Sequence, residues 1–198
     1  RLEDYDFAAK VLGVDVAREG DDKSVIFPRQ GRVATMPQVL RNASSIDGAG
    51  AVMQKWDAWQ ADGVFVDNTG GFGGGWLDQM VALNRSPVGV HFAGKAADSR
   101  YGNIRAEMWF KMAEWVKGGG CLPNVPELKA ELTTPEYYFK GDQFMLEPKE
   151  RVKARLGRSP DYADALALTF AYPVHPKPKQ TLESLLLDSY ASGNQAGE

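Results

Sequence analysis

Cysteine is almost missing from this chain. Cys121 stands alone among 198 residues, which excludes an intramolecular disulfide and any cysteine-rich zinc site. Histidine is nearly as scarce, with only His91 and His175, leaving little for a histidine-based metal centre. No apolar run approaches the length of a membrane span and the first residues lack a signal-peptide pattern, so the sequence reads as soluble and intracellular, without a membrane partner. The net charge of −3 lacks the basic excess that usually marks nucleic-acid binding. There is no Gly-x-Ser-x-Gly elbow, and a single cysteine without a credible histidine partner argues against nucleophilic catalysis. The glycine run from Gly70 to Gly75 fails as a dinucleotide fingerprint, because Trp76 and Asp78 fall where glycine or alanine is needed, and no Gly-Lys-Ser/Thr follows for a P-loop. It reads as a loop whose small residues let backbone approach closely, with amides at a helix start that could contact phosphate.

What is present is a domain-sized chain, 43% hydrophobic, with enough apolar sequence for a substantial core. Three aspartates interrupt that apolar sequence. Asp15 lies in Gly13-Val14-Asp15-Val16-Ala17, Asp67 closes Gly63-Val64-Phe65-Val66-Asp67, and Asp164 lies in Ser159-Pro160-Asp161-Tyr162-Ala163-Asp164-Ala165-Leu166. Aspartate is depleted in strands and costly to bury unpaired. Two of them also have a structural reading: a buried acid satisfied by backbone or arginine for Asp15, and an Asx-turn residue for Asp67. The shared reading is that all three meet around divalent metal. With so few sulfur and imidazole ligands, that metal is held by carboxylates, which favours Mg²⁺ or Mn²⁺ over zinc. Asp161 shares a helix face with Asp164 but sits in the first turn, where the helix dipole favours any acid. Asp21, six residues past Asp15, is either an outer ligand or a solvated loop residue.

Strand and helix patterns give an α/β domain. Residues 7–17, 24–28 and 32–40 read as three strands joined by short turns, an antiparallel meander. Residues 47–61 read as a helix, 64–66 as a short buried strand ending at Asp67, and Trp76 to Leu83 as a second helix. A strand over 88–90 and an amphipathic helix from Ile104 to Trp115 follow, the latter ending at Gly118. This alternation implies parallel strands with right-handed crossovers. Gly141-Asp142 predicts a hairpin between 136–140 and 143–147. A basic helix starts after Pro148, and a final helix starts with Ser159 as cap and Pro160 at its first position. Residues 1–173 form one domain, and 174–198 form a linker and tail with a short helix over 182–187.

The basic helix concentrates Lys149, Arg151, Lys153, Arg155 and Arg158 against Glu150 alone. Such a run is either a solvated face or a grip on phosphates.

Taken in order, three segments resemble the nuclease domain of tailed-phage large terminase subunits. Residues 13–24 look like its first-strand motif, Val66-Asp67-Asn68-Thr69-Gly70-Gly71-Phe72-Gly73 like its second acidic motif, and residues 159–168 like its third. Tyr101 to Trp109 also has the character of that family. The similarity runs from about residue 7 to 172. It implies a ribonuclease H-like fold and an endonuclease that cuts concatemeric double-stranded viral DNA during genome packaging, in the cytoplasm of an infected bacterium. By position, Asp15, Asp67 and Asp164 match the acidic triad that holds two Mg²⁺ or Mn²⁺ ions, and Asp21 matches an additional acid of some members. Asp164 is preferred to Asp161 for the third place because it precedes Ala165-Leu166 and points toward the sheet. The resemblance also implies a packaging ATPase domain preceding this one, consistent with a chain that begins at Arg1, and portal and small terminase subunit as partners. Other readings are a junction resolvase, an RNA–DNA hybrid nuclease, or a non-catalytic docking module of a packaging motor.

Overall fold

The computed structural model describes Tyr5, residues 7–17 and residues 23–177. Asp21 and the helix expected over 182–187 lie outside the described residues.

A central sheet is built from β1 (Lys10–Asp15), β2 (Lys23–Gln30), β3 (Val33–Ala34), β4 (Gln38–Arg41), β5 (Gly63–Asp67) and β6 (Val88–Val90). The order is β3-β2-β1-β5-β6, with β4 also on β2. β1 and β2 are antiparallel, whereas β5 runs parallel to β1 and β6 parallel to β5. The sheet is therefore mixed, a meander followed by parallel strands.

The single third strand expected over 32–40 is instead two short ones. Ala34 pairs with Arg29 and Gln38 with Ile26, so one extra residue lies on the returning strand between these pairs. That surplus is a bulge, and it falls where Pro28 lacks a donor and Pro37 lacks another. The Pro28 carbonyl still accepts from the Thr35 amide at 3.1 Å.

Alternation along the strands divides the core in two. Leu12, Val14, Ile26, Val64 and Val66 pack with Val52, Trp56, Trp76 and Met80, from α1 (Ser45–Trp59) and α2 (Gly74–Ala82). Val11, Val25, Phe27 and Phe65 face the other way, against Met108, Met112, Leu166 and Leu168. That second layer comprises α3 (Ile104–Lys117) and α4 (Pro126–Thr133), joined later in the chain by the last helix. The expected hairpin is present as β7 (Tyr137–Lys140) and β8 (Gln143–Leu146), a separate two-stranded sheet. It docks on α3 through Phe144, whose ring centroid lies 4.8 Å from that of Phe110. α5 (Lys149–Leu156) and α6 (Asp161–Leu168) complete the chain of elements.

Two sequence expectations shift here. α6 begins at Asp161 with Pro160 as its cap and no side-chain cap bond, so Ser159 lies one residue too early to cap it. α4 has no counterpart in the sequence reading, although Pro126 in its first turn and Glu127 beside it are ordinary helix-start signals. Among the described residues, no helix is long and apolar enough to cross a membrane.

Candidate active site

The parallel register of β1 and β5 pairs Val14 with Val66. The next residues, Asp15 and Asp67, are therefore neighbours at the carboxyl edge of the sheet. Two-residue periodicity turns both toward the layer that contains α6. That helix comes unusually close: a Cβ on Gly13 would lie 2.0 Å from the Ala165 carbonyl oxygen. Glycine at 13 thus lets α6 lie directly on β1 and carries Asp161 and Asp164 to the same edge.

Asp15 is 2% exposed. Its Oδ1 has no hydrogen-bond partner in the protein, and the nearest ammonium, Lys149 Nζ, is 3.8 Å away. Burial pushes this carboxyl well above its usual range; Lys149 opposes the shift, while the charges of Asp164, Asp67 and Asp161 add to it. Asp67 is raised by burial too, an effect partly offset by hydrogen bonds from Thr69. The Thr69 amide donates to Asp67 Oδ1 at 2.8 Å, so the Asx-type turn is real and coexists with the position at the site.

Asp164 differs. It is fully buried, accepts from Trp109 Nε1 at 2.9 Å, and is ion-paired with Lys149 Nζ at 3.0 Å. Burial alone would raise it, but Lys149, Arg105 and these hydrogen bonds outweigh burial and hold it below its usual range. Lys149 answers in kind: burial disfavours its charge, yet Asp15 and Asp164 hold its pKa above the ordinary value.

These groups border a cleft of about 520 Å³ whose wall includes Asp15, Asp67, Asp161, Arg105, Lys149 and Lys153. Asp161 faces the cleft, whereas Asp164 stands behind it. Helix face would favour Asp164 only in an amphipathic α6, but all eight residues of this helix are buried. Face alone therefore does not separate the two acids. Among the described residues, no three histidine, cysteine, aspartate or glutamate side chains stand close enough to share one ion as placed.

The basic run is divided by the fold. Lys149 enters the acid cluster and Lys153 borders the cleft. Arg155 is tied to Glu147, with Nη1 to Oε2 at 2.9 Å. Arg158 is bound to the fully buried Glu131. Arg151 is exposed on α5.

No protein-family model matches the sequence, and neither does any curated protein. Solved structures do. A variant of the large terminase subunit of bacteriophage Sf6, solved with calcium, matches with a TM-score of 0.69 at 20% identity, over 83% of this chain and 89% of that one. The large terminase nuclease of the thermophilic phage G20c matches with a TM-score of 0.61 at 15% identity, over 83% and 82%. The nuclease domain from Thermus phage P74-26 gives 0.58 at 15%, over 86% and 84%. The fold is that of a large-terminase nuclease domain. Other structures of the Sf6 and G20c proteins are described with manganese, magnesium or cobalt.

Within this terminase-nuclease fold, several residues that build the site were not singled out from sequence. Trp109 reads as core by its helical spacing, yet its indole N–H holds Asp164. Glu131, on the overlooked α4, accepts from the Ala163 amide at 2.9 Å and so anchors the first turn of α6. Arg105 sits at the start of α3, within the Tyr101–Trp109 stretch that resembles the family. That resemblance was the available signal; nothing local marks Arg105 as facing a cleft.

Proposed function

We propose that this chain is the nuclease domain of a phage packaging motor: a divalent-metal-dependent endonuclease that cuts concatemeric double-stranded DNA. The observation that carries this reading is the convergence of Asp15, Asp67 and Asp161 from β1, β5 and α6 at one cleft, with Asp164 directly behind it and a buried Asp15 oxygen lacking any hydrogen-bond partner in the protein. A buried carboxylate oxygen without a hydrogen bond is costly in the charged form, and a cation is a partner that would relieve it.

The donor set fits hard ions. Carboxylate oxygens are the ligands of Mg²⁺ and Mn²⁺, and no thiolate or imidazole lines this cleft. Asp15, Asp67 and Asp164 would hold two such ions, with Asp161, which lines the cleft, as a further ligand. Bound there, the ions supply an acidified attacking water and a charge opposite the leaving oxygen. The protein's own groups do the rest. Lys149 offsets the mutual repulsion of the acids, and Trp109 fixes the Asp164 carboxylate. Lys153 and Arg151 lie outside the acid cluster, placed to attract flanking phosphates without reading sequence. A preceding ATPase domain, the portal and the small terminase subunit are the partners of this reading, and the host cytoplasm its setting.

The direct test is cleavage of supercoiled plasmid with Mg²⁺ or Mn²⁺ by the wild type and by Asp15→Asn. The wild type should nick and linearise the plasmid. The variant should lose more than the roughly 100-fold that removal of an outer partner of a metal ligand costs. Equal cleavage by the two proteins overturns the assignment.

A further inference from the structure

Arg105 carries donors that the fold does not use. It is the second residue of α3, its side chain is 9% exposed, and it lines the cleft beside Asp15 and Asp67. Nη1 donates to the Glu147 carbonyl at 2.7 Å, which fixes the guanidinium against the base of the hairpin. Nε and Nη2 have no hydrogen-bond partner in the protein. The nearby carboxylate oxygen, Asp164 Oδ1, is 3.9 Å from Nε, too far for a hydrogen bond, and it already accepts from Trp109.

Buried donors left unpaired are rare in folded proteins and point to a missing partner. Nε and Nη2 lie on one edge of the planar guanidinium, the edge that matches two oxygens of a phosphate. The start of α3 offers no competing site. The amides of Ile104, Arg105 and Glu107 are bonded to the carbonyls of Gly94, Phe92 and Asn103, and that of Ala106 to the Asn103 side chain. An anion at this end of α3 therefore finds no free helix terminus; Nε and Nη2 are buried, so it reaches the guanidinium edge once the side chain turns toward the cleft it lines.

We propose that Arg105 binds a backbone phosphate of the DNA substrate through its Nε–Nη2 edge, within the same cleft that Asp15, Asp67 and Asp161 line. The inference rests on the reading of this chain as a DNA nuclease. It adds a phosphate-positioning residue from α3, an element separate from the basic helix. The contact supplies affinity and register rather than sequence choice.

The test is binding of a short DNA duplex in Ca²⁺, with a neutral methylphosphonate placed at each backbone position in turn. For the wild type, one position should weaken binding about tenfold or more, the scale of a hydrogen bond to a charged group. In Arg105→Lys and Arg105→Gln, each first shown to be folded by a cooperative thermal melt, that position should lose most of its effect while other positions keep theirs. The salt slope of binding should fall by about one counterion in Arg105→Gln. If every position behaves alike in wild type and variants, this inference falls while the nuclease reading stands. If the wild type neither binds nor cuts duplex, both fall. Should neither variant fold, the Nε–H resonance of wild-type Arg105, assigned through its proximity to the Trp109 ring, should shift on adding duplex. An unmoved resonance overturns the contact.

Discussion

The two faces of the central sheet are made from the same strands and do opposite work. On the α1–α2 side, Leu12, Val14, Val64 and Val66 pack with apolar partners such as Val52, Trp56 and Met80. On the α3–α6 side, the alternate residues of β1 and β5 begin as Val11 and Phe65 and end as Asp15 and Asp67. There the layer of helices supplies Arg105, Trp109, Glu131, Asp161 and Asp164. One face stabilises the fold by burying apolar surface; the other spends part of that stability on buried charge. A functional site at a sheet edge thus needs only one of the strand's two periodic sets, and the other remains free to hold the domain together.

Two glycines allow this contrast to be tested. A Cβ at Gly13 would meet backbone, the Ala165 carbonyl oxygen at 2.0 Å, whereas a Cβ at Gly48 would meet the Trp76 ring at 2.1 Å. Gly13→Ala should destabilise by about 3 kcal/mol or more, the upper range for overpacking, and should lose cleavage per folded molecule because α6 moves. Gly48→Ala should also lower the melting temperature, yet its folded fraction should cut DNA at the wild-type rate. Denaturant melts paired with plasmid cleavage separate these outcomes. Normal specific activity in Gly13→Ala would erase the distinction between the faces.

Smaller effects distinguish the acids themselves. Asp164 is held below its usual range, so its contribution is present above the unfolded carboxyl value and disappears as pH falls through its folded value. Asp164→Asn should therefore destabilise the metal-free protein at pH 7, by about 2 kcal/mol on the scale of a charged hydrogen bond. The difference from wild type should shrink on acidification.

Asp15 has the reverse sign. Its folded value is raised, so its ionisation opposes folding increasingly as pH rises above the unfolded value of about 3.9. Asp15→Asn should raise stability at pH 7 while abolishing cleavage, and the gain should vanish at low pH. Chemical denaturation across pH without divalent ions measures both. A destabilised Asp15→Asn would mean that Lys149, not burial, governs that carboxylate.

What was legible in the sequence follows the range of the interactions. Asp15 and Asp67 could be placed because strand alternation is local, and a run such as Gly63 to Asp67 announces where its acid emerges. The hairpin was announced by Gly141-Asp142. The bulge between Ala34 and Gln38 was not visible, because it exists only relative to the partner strand. The ties of Arg158 to Glu131 and Lys149 to Asp164 join residues distant in sequence, so a run that reads as one basic face is divided by the fold. Helical periodicity cannot rank Asp161 and Asp164, because a helix buried on every side has no outward face.

Glu147 joins the hairpin to the cleft more firmly than its place at the end of β8 suggests. Its carbonyl holds Arg105, its carboxylate accepts from the Glu136 amide and binds Arg155, and Lys149 follows two residues later. Protein engineering meets this as a constraint on where to cut. Excising β7 and β8 through residue 147 would release an arginine and shift the lysine that screens the acids, so a truncated protein would not be the parent without an appendage. A clean excision ends before Glu147.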